Sequence, residues 1–233
     1  MNLSAPLADK ANALECALAC AQVYDVCTLQ TDDCHVCVKE FDNCARVDVR
    51  GSKTAEDWIN DLNFEFVDTI YGKVHGGFWR STAPLFPKLK EQVKAIGKPV
   101  VIDGHSLGAA QGTLLALDLA VESFPVAFNI SFGSPRVAGA EFKALYDRLL
   151  GPKTIRYVNA LDPVPRLPFS DLGFVHVGQE GFLPTAGGLE INPTFYELIH
   201  DDVVSAVADI RAGRPDILVN HFIAAYQARI QNL

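Results

Sequence analysis

Pro99-Val100-Val101-Ile102-Asp103-Gly104-His105-Ser106-Leu107-Gly108-Ala109-Ala110 decides how the rest of the chain is read. Pro99 to Ile102 is a short apolar run that reads as a buried strand. Leu107 to Glu122 has helical period, with Leu114, Leu117 and Val121 on one side and Gln111, Asp118 and Glu122 on the other. Gly104-His105-Ser106-Leu107-Gly108 joins them as a G-x-S-x-G turn. A serine in a strained strand-to-helix turn is lifted out of the sheet, and the flanking glycines let neighbouring backbone pass close to it. The amide of Leu107 then stands at a helix N-terminus, where an oxyanion can be held. Ala109, Ala110 and Gly112 are small enough for that helix to press against the sheet.

Working outward, strands and helices alternate. Towards the C-terminus, Val126 to Phe132 reads as a strand, Ala140 to Leu150 as a helix, Thr154 to Asn159 as a strand and Phe174 to Val177 as a further short strand. The tail from about Pro193 reads as mostly helical, with a break at Gly213 to Pro215. Towards the N-terminus, Pro84 to Ile96 and Asp9 to Tyr24 read as helices, and Ala45 to Val49 as a strand ending at Arg50-Gly51. Thr54 to Leu62 carries Ala55, Trp58, Ile59 and Leu62 on one face and Glu56, Asp57 and Asp61 on the other. This alternation implies an α/β fold, a mainly parallel central sheet with helices on both faces. With no repeat, linker or low-complexity stretch, residues 1–233 read as a single domain, with a Cys-rich helix and strand region over 1–45.

Composition agrees. The 233 residues are 49% hydrophobic and 21% charged, which suits a globular chain with a sizeable core. Lys and Arg number 20 against 28 Asp and Glu, a net charge of −8. That excludes nucleic acid as a partner held by the net field, and it disfavours anionic membranes. No apolar run approaches the roughly 18 residues of a membrane span. No signal peptide is visible, so with Met1 as the native start the expectation is a cytoplasmic protein or one exported by another route.

A serine hydroxyl is a poor nucleophile near neutral pH. It needs a base, and the base needs an orienting carboxylate, in the chain order Ser, acid, His for this turn. Asp162 follows the strand Thr154 to Asn159, in a proline-stiffened loop at the same sheet edge as Ser106, where ligand sites of open α/β sheets gather. His176, His200 and His221 are the histidines that follow Ser106. His221 ranks first and His200 second. His176, His75 and His105 read as structural.

Several blocks in order resemble the class 3, or fungal-type, lipase family of α/β-hydrolases. They are Arg50-Gly51-Ser52 followed by a Trp58-bearing helix, Val74 to Phe78, Phe132 to Val137, Asp162 to Pro168, and Asn220 to Tyr226. The resemblance implies Ser106 as nucleophile, Asp162 as orienting acid and His221 as general base. It implies Ser52 as a second oxyanion donor beside Leu107, and residues 53–62 as a lid whose Trp58, Ile59 and Leu62 meet substrate. The implied activity is hydrolysis of lipid esters, as a triacylglycerol lipase or carboxylesterase. It needs no cofactor and no metal, and contact with a lipid interface would be transient. A short-chain or feruloyl-type esterase, a phospholipase A1, or a catalytically silent lipid-binding protein on the same fold are the alternatives. Two features depart from the family: Asp103 directly before the serine turn, and the cysteine-rich N-terminus.

All six cysteines, Cys16, Cys20, Cys27, Cys34, Cys37 and Cys44, fall within one stretch. Plain buried thiols, a disulfide set requiring export, or a zinc site at Cys34 and Cys37 are the competing readings. Cys16 and Cys20 lie one turn apart on a helix. Cys34 and Cys37 fall on opposite faces of a strand, which is poor geometry for joint ligation.

Overall fold

The computed structural model describes residues 1–22, 27, 29–51, 64–160, 162–194 and 218–233. In chain order the strands are β1 (Leu29–Gln30), β2 (His35–Glu40), β3 (Ala45–Arg50), β4 (Phe66–Thr69), β5 (Gly72–His75), β6 (Val100–His105), β7 (Val126–Phe132), β8 (Thr154–Asn159), β9 (Gln179–Leu183) and β10 (Glu190–Ile191). The helices are α1 (Lys10–Gln22), α2 (Gly76–Thr82), α3 (Phe86–Ile96), α4 (Leu107–Val121), α5 (Ala140–Leu150) and α6 (Ile223–Gln231).

Among the described residues, eight strands form one sheet in the order β1-β2-β3-β6-β7-β8-β9-β10, and β4 and β5 form a separate hairpin. The strands from β3 to β9 are parallel, while β1, β2 and β10 pair antiparallel at the edges. Parallel strands are covered on both faces, which is why β8 is buried along its whole length. On one face Val47, Val49, Val100 and Ile102 pack with Leu89 and Val93 of α3, Leu114 and Leu117 of α4, and Phe142 of α5. On the other, Val101, Ile130, Phe132 and Tyr157 pack with Ala13, Cys16 and Cys20 of α1 and with Tyr226 and Ile230 of α6. The expected mainly parallel sheet between two helical layers is the observed one.

Two local expectations are overturned. α4 is not amphipathic: it is buried from Leu107 to Leu119, and it is Val121 that reaches solvent, at 43% exposure. Gln111 and Asp118, set on the side opposite Leu114 and Leu117, are internal ties, while Glu122 is exposed just past the helix end. Gln111 donates to the Asp33 carbonyl and the Ser81 hydroxyl, each at 2.9 Å. Asp118 accepts from the Tyr71 hydroxyl at 2.7 Å and lies 3.3 Å from the Lys90 ammonium. The helix is sandwiched between the sheet and α2, α3 and α5. The second correction concerns Phe174 to Val177, which makes only a single bridge, from Val175 to Ala138. The strand beside β8 starts at Gln179, after Gly178 turns with φ +64° and donates its N–H to the Asp147 carboxylate.

The N-terminal segment closes one face of the sheet. Cys16 and Cys20 are buried on one side of α1; Cys34 and Cys37 do lie on opposite faces of the sheet, Cys34 with Val36 and Val47, Cys37 in register with Asp48. The six cysteines are present as thiols. Burial pushes Cys34 and Cys37 up to about 12, so neither ionises near neutral pH. Asp103 is an anchor for this layer. It stands in register with Asp48, and both are fully buried. It accepts from the Cys20 thiol at 3.4 Å, with the Arg46 guanidinium 3.8 Å away. Burial and the neighbouring Asp48 carboxylate hold its carboxyl well above the usual range.

Candidate active site

Ser106 follows the last residue of β6 and precedes the first of α4. Its backbone sits at φ 58°, ψ −128°, outside the regions a non-glycine residue favours. Neighbouring elements enforce that geometry. The Ser106 N–H donates to the Phe132 carbonyl at the end of β7, 2.9 Å away, and its own carbonyl accepts from Ala109 and Ala110 to start α4. Gly108 has to be glycine: a Cβ there would lie 2.3 Å from the Val49 carbonyl oxygen, so the end of β3 runs directly against the turn. Leu107 opens the helix, and its N–H belongs to the first turn, which has no partner within the helix.

Asp162 lies just past β8 and is fully buried. Its N–H donates to the Asn159 carbonyl at 2.8 Å, and its carboxylate accepts from the Val164 N–H at 2.9 Å and from the Tyr226 hydroxyl at 2.5 Å. Arg136 and His176 pin the rest of its loop. The Arg136 N–H reaches the Leu167 carbonyl, its guanidinium reaches the carbonyls of Arg166 and Pro168, and the His176 ring donates to the Pro165 carbonyl at 2.7 Å.

His221 ends a 3-10 turn, Val219–His221, and is 1% exposed. Its Nδ1 is 2.9 and 3.0 Å from the two Asp162 oxygens, and its Nε2 is 2.8 Å from the Ser106 hydroxyl oxygen. The carboxylate only accepts, so Nδ1 carries the ring proton and Nε2 presents a lone pair to the serine O–H. That is the geometry for removing a proton from the hydroxyl and holding the resulting imidazolium against a carboxylate.

The structure therefore brings together Ser106, Leu107, Asp162 and His221 from three separate stretches of sequence. Ser52, Trp58, Ile59, Leu62 and His200 lie outside the described residues. Of the other histidines, His75, His105 and His176 are structural. His75 caps α2 by accepting from the Phe78 N–H, and burial lowers it to about 4. His105 donates to the His221 carbonyl at 2.6 Å, and burial lowers it to about 3. His176, which holds the acid loop from outside any strand, is also pushed down by burial. Sequence reasoning noticed Tyr226 only as part of a block and passed over Asn159 and Gly133, which line the same centre. Tyr226 stands five residues after His221, a spacing that could have flagged it.

Known proteins fit this arrangement. The secreted mono- and diacylglycerol lipase A of Penicillium cyclopium is 30% identical over 179 residues, covering 72% of this chain and 57% of that protein. Phospholipase A1-II 4 of Oryza sativa subsp. japonica is 31% identical over 166 residues, covering 56% of this chain and 41% of that protein. The chain thus spans about half the length of the curated relatives it matches. Among solved structures, the triacylglyceride lipase of Rhizomucor miehei superposes with a TM-score of 0.67 at 26% identity, covering 76% of this chain and 81% of that one. The sequence profile described as Lipase (class 3) matches residues 46–172, from the start of β3 through the loop that carries Asp162. The chain has the α/β-hydrolase fold and belongs to the class 3 lipase family.

Proposed function

We propose that this protein hydrolyses carboxylic esters of lipids through a covalent acyl-enzyme, with Ser106 as nucleophile, His221 as general base and Asp162 as its orienting acid. The observation that carries the reading is the unbroken chain of hydrogen bonds from the Ser106 hydroxyl through both His221 nitrogens to Asp162, all buried. Neutral His221 takes the serine proton as the serine oxygen attacks the ester carbonyl. The amide of Leu107, with Ser52 as second donor, holds the oxyanion. His221 returns the proton to the departing alcohol. Water, deprotonated by His221 in turn, then frees the acid. Residues 1–233 act as one hydrolase unit in this reading. Residues 53–62 are assigned the role of lid, and Trp58, Ile59 and Leu62 that of substrate contacts, on the family resemblance. The description of the Penicillium cyclopium relative as secreted supports export, and no helix among the described residues is long and apolar enough to cross a membrane.

Turnover of p-nitrophenyl esters from acetate to palmitate tests the reaction. Ser106→Ala is expected to lower kcat by at least about 1,000-fold. Equal inactivity of wild type and variant on every ester would sink the proposal. Trp58→Ala is expected to cost more on emulsified long-chain esters than on short soluble ones; equal loss on both would sink the lid. The likeness to Phospholipase A1-II 4 favours phospholipid esters as the second reading, which release of the sn-1 acyl chain from phosphatidylcholine would decide.

A further inference from the structure

We infer that His105, the residue beside the nucleophile, is a positioning residue for the base: it holds His221 by the main-chain carbonyl rather than acting on the reaction itself. The inference deepens the reading of His221 as general base and rests on it. The three residues of the centre are held differently. Ser106 is fixed by a main-chain bond to the end of β7, while Asp162 and His221 each donate their N–H to the carbonyl three residues back, Asn159 and Leu218, and the Asp162 carboxylate also accepts from the Val164 N–H. His221 sits in a three-residue turn followed by Phe222 in extended backbone, φ −62° and ψ 137°. α6 begins only after Phe222, so the carbonyls of Asn220 and His221 fall outside its hydrogen-bond ladder. Side chains from the sheet take them instead. Asn159, the last residue of β8, donates to the Asn220 carbonyl at 2.8 Å, and His105, the last residue of β6, donates to the His221 carbonyl at 2.6 Å.

A carbonyl oxygen only accepts, so His105 Nε2 carries a proton. The two imidazole rings lie 4.7 Å apart between centroids, close enough that a charged His105 would oppose the imidazolium form of His221. Burial keeps His105 neutral down to about pH 3, so it holds the loop without becoming a second proton store beside the base. The base thus keeps its 2.8 Å approach to Ser106 because the last residues of β6 and β8 stitch its main chain to the sheet.

A matched pair of variants separates the donor from the bulk. His105→Gln keeps an N–H donor at similar reach, and His105→Met has similar length with none. For p-nitrophenyl butyrate, His105→Met is expected to lower kcat by about 10- to 100-fold and to leave KM within about threefold, because a misplaced base harms the chemical step more than binding. His105→Gln is expected to stay within about threefold of wild type on both. Labelling of Ser106 by a fluorophosphonate should slow in the Met variant alone. Wild-type kcat in His105→Met, or equal loss in the two variants, would overturn the inference. Should His105→Met fail to melt cooperatively, Asn159→Leu removes the companion donor, and unchanged kcat there would overturn it equally. A wild type that neither turns over esters nor reacts with the fluorophosphonate defeats the underlying reading. An active wild type with an indifferent Met variant defeats only this one.

Discussion

Tyr226 touches both the fold and the centre. Its buried hydroxyl donates to Asp162 at 2.5 Å and accepts from the Asn159 N–H at 3.1 Å. Burial and the Asp162 carboxylate push its own ionisation well up, so it stays a neutral donor. In Tyr226→Phe the carboxylate loses that donor and one of the contacts that fix it against His221. The lost hydrogen bond should cost about tenfold in kcat/KM and about 1–3 kcal/mol of stability. Wild-type kcat/KM and an unchanged thermal melt in Tyr226→Phe would contradict this account. Ser106 and Asp162 were legible at this scale because each stands at a strand end with a diagnostic turn around it. His221 needed a block match, since nothing in its immediate sequence separates it from His200. The partners of the centre, Asn159 and His105, were illegible because long-range packing alone joins them to it.

Between elements, a second tight fit is where the end of β7 meets the two loops that carry the acid and the base. Gly133 occupies that corner with φ +58°, and a Cβ there would lie 2.9 Å from an Asp162 carboxylate oxygen and 3.1 Å from the His221 ring. A side chain is strained in that backbone region and would wedge the pair apart. Gly133→Ala should therefore lower kcat by about 100-fold or more, with a smaller loss of stability, about 1–3 kcal/mol. Steady-state kinetics beside a thermal melt checks it, and a variant with wild-type kcat would show that the corner gives way freely. Element positions were largely readable where local pattern and packing agree, as in α5 and β8, whose limits match the pattern at both ends. They were misread where packing overrides pattern. α4 carries Gln111 and Asp118 as internal ties, so its polar residues imitate a wet face. β9 begins Gln179-Glu180-Gly181, too polar to announce a strand, while apolar Phe174 and Val177 just before it are buried without pairing as one.

For the molecule as a whole, the buried histidines set the response to acid. His75 and His105 are lowered by burial to about 4 and about 3, and His176 is lowered as well. An unfolded histidine titrates near pH 6.5, so between that value and the folded values the unfolded chain binds more protons. Stability from these groups is complete above about pH 6.5 and is lost as pH falls towards 4. Asp103, held high, works with the opposite sign: the folded state binds its proton more readily, so that group favours folding as pH falls. One group opposes three, and Tm should drop between pH 7 and pH 4.5. His75→Asn keeps an acceptor for the Phe78 N–H, removes one titration and should shallow the drop. Calorimetric melts across that range decide it, and a Tm that is flat or rises on acidification would refute the assignment. The parallel sheet and its two helical layers followed from strand–helix alternation. The antiparallel pairing at the edges and the β4–β5 hairpin did not, since β1, β4, β5 and β10 are two to four residues long and are defined by their partners and not by their own composition.

The two reacting side chains rest on foundations of unequal depth. Ser106 begins α4, a helix buried from Leu107 to Leu119, whose interior amides should exchange with deuterium only when the whole domain opens. His221 sits in a single three-residue turn, closed by one main-chain bond to Leu218 and tied to the sheet through the side chains of His105 and Asn159, so a local opening that leaves the sheet intact would release it. Under mild heat or dilute denaturant, the proposed ester hydrolysis would cease while circular dichroism still reported a folded protein, and it would return on dilution without refolding.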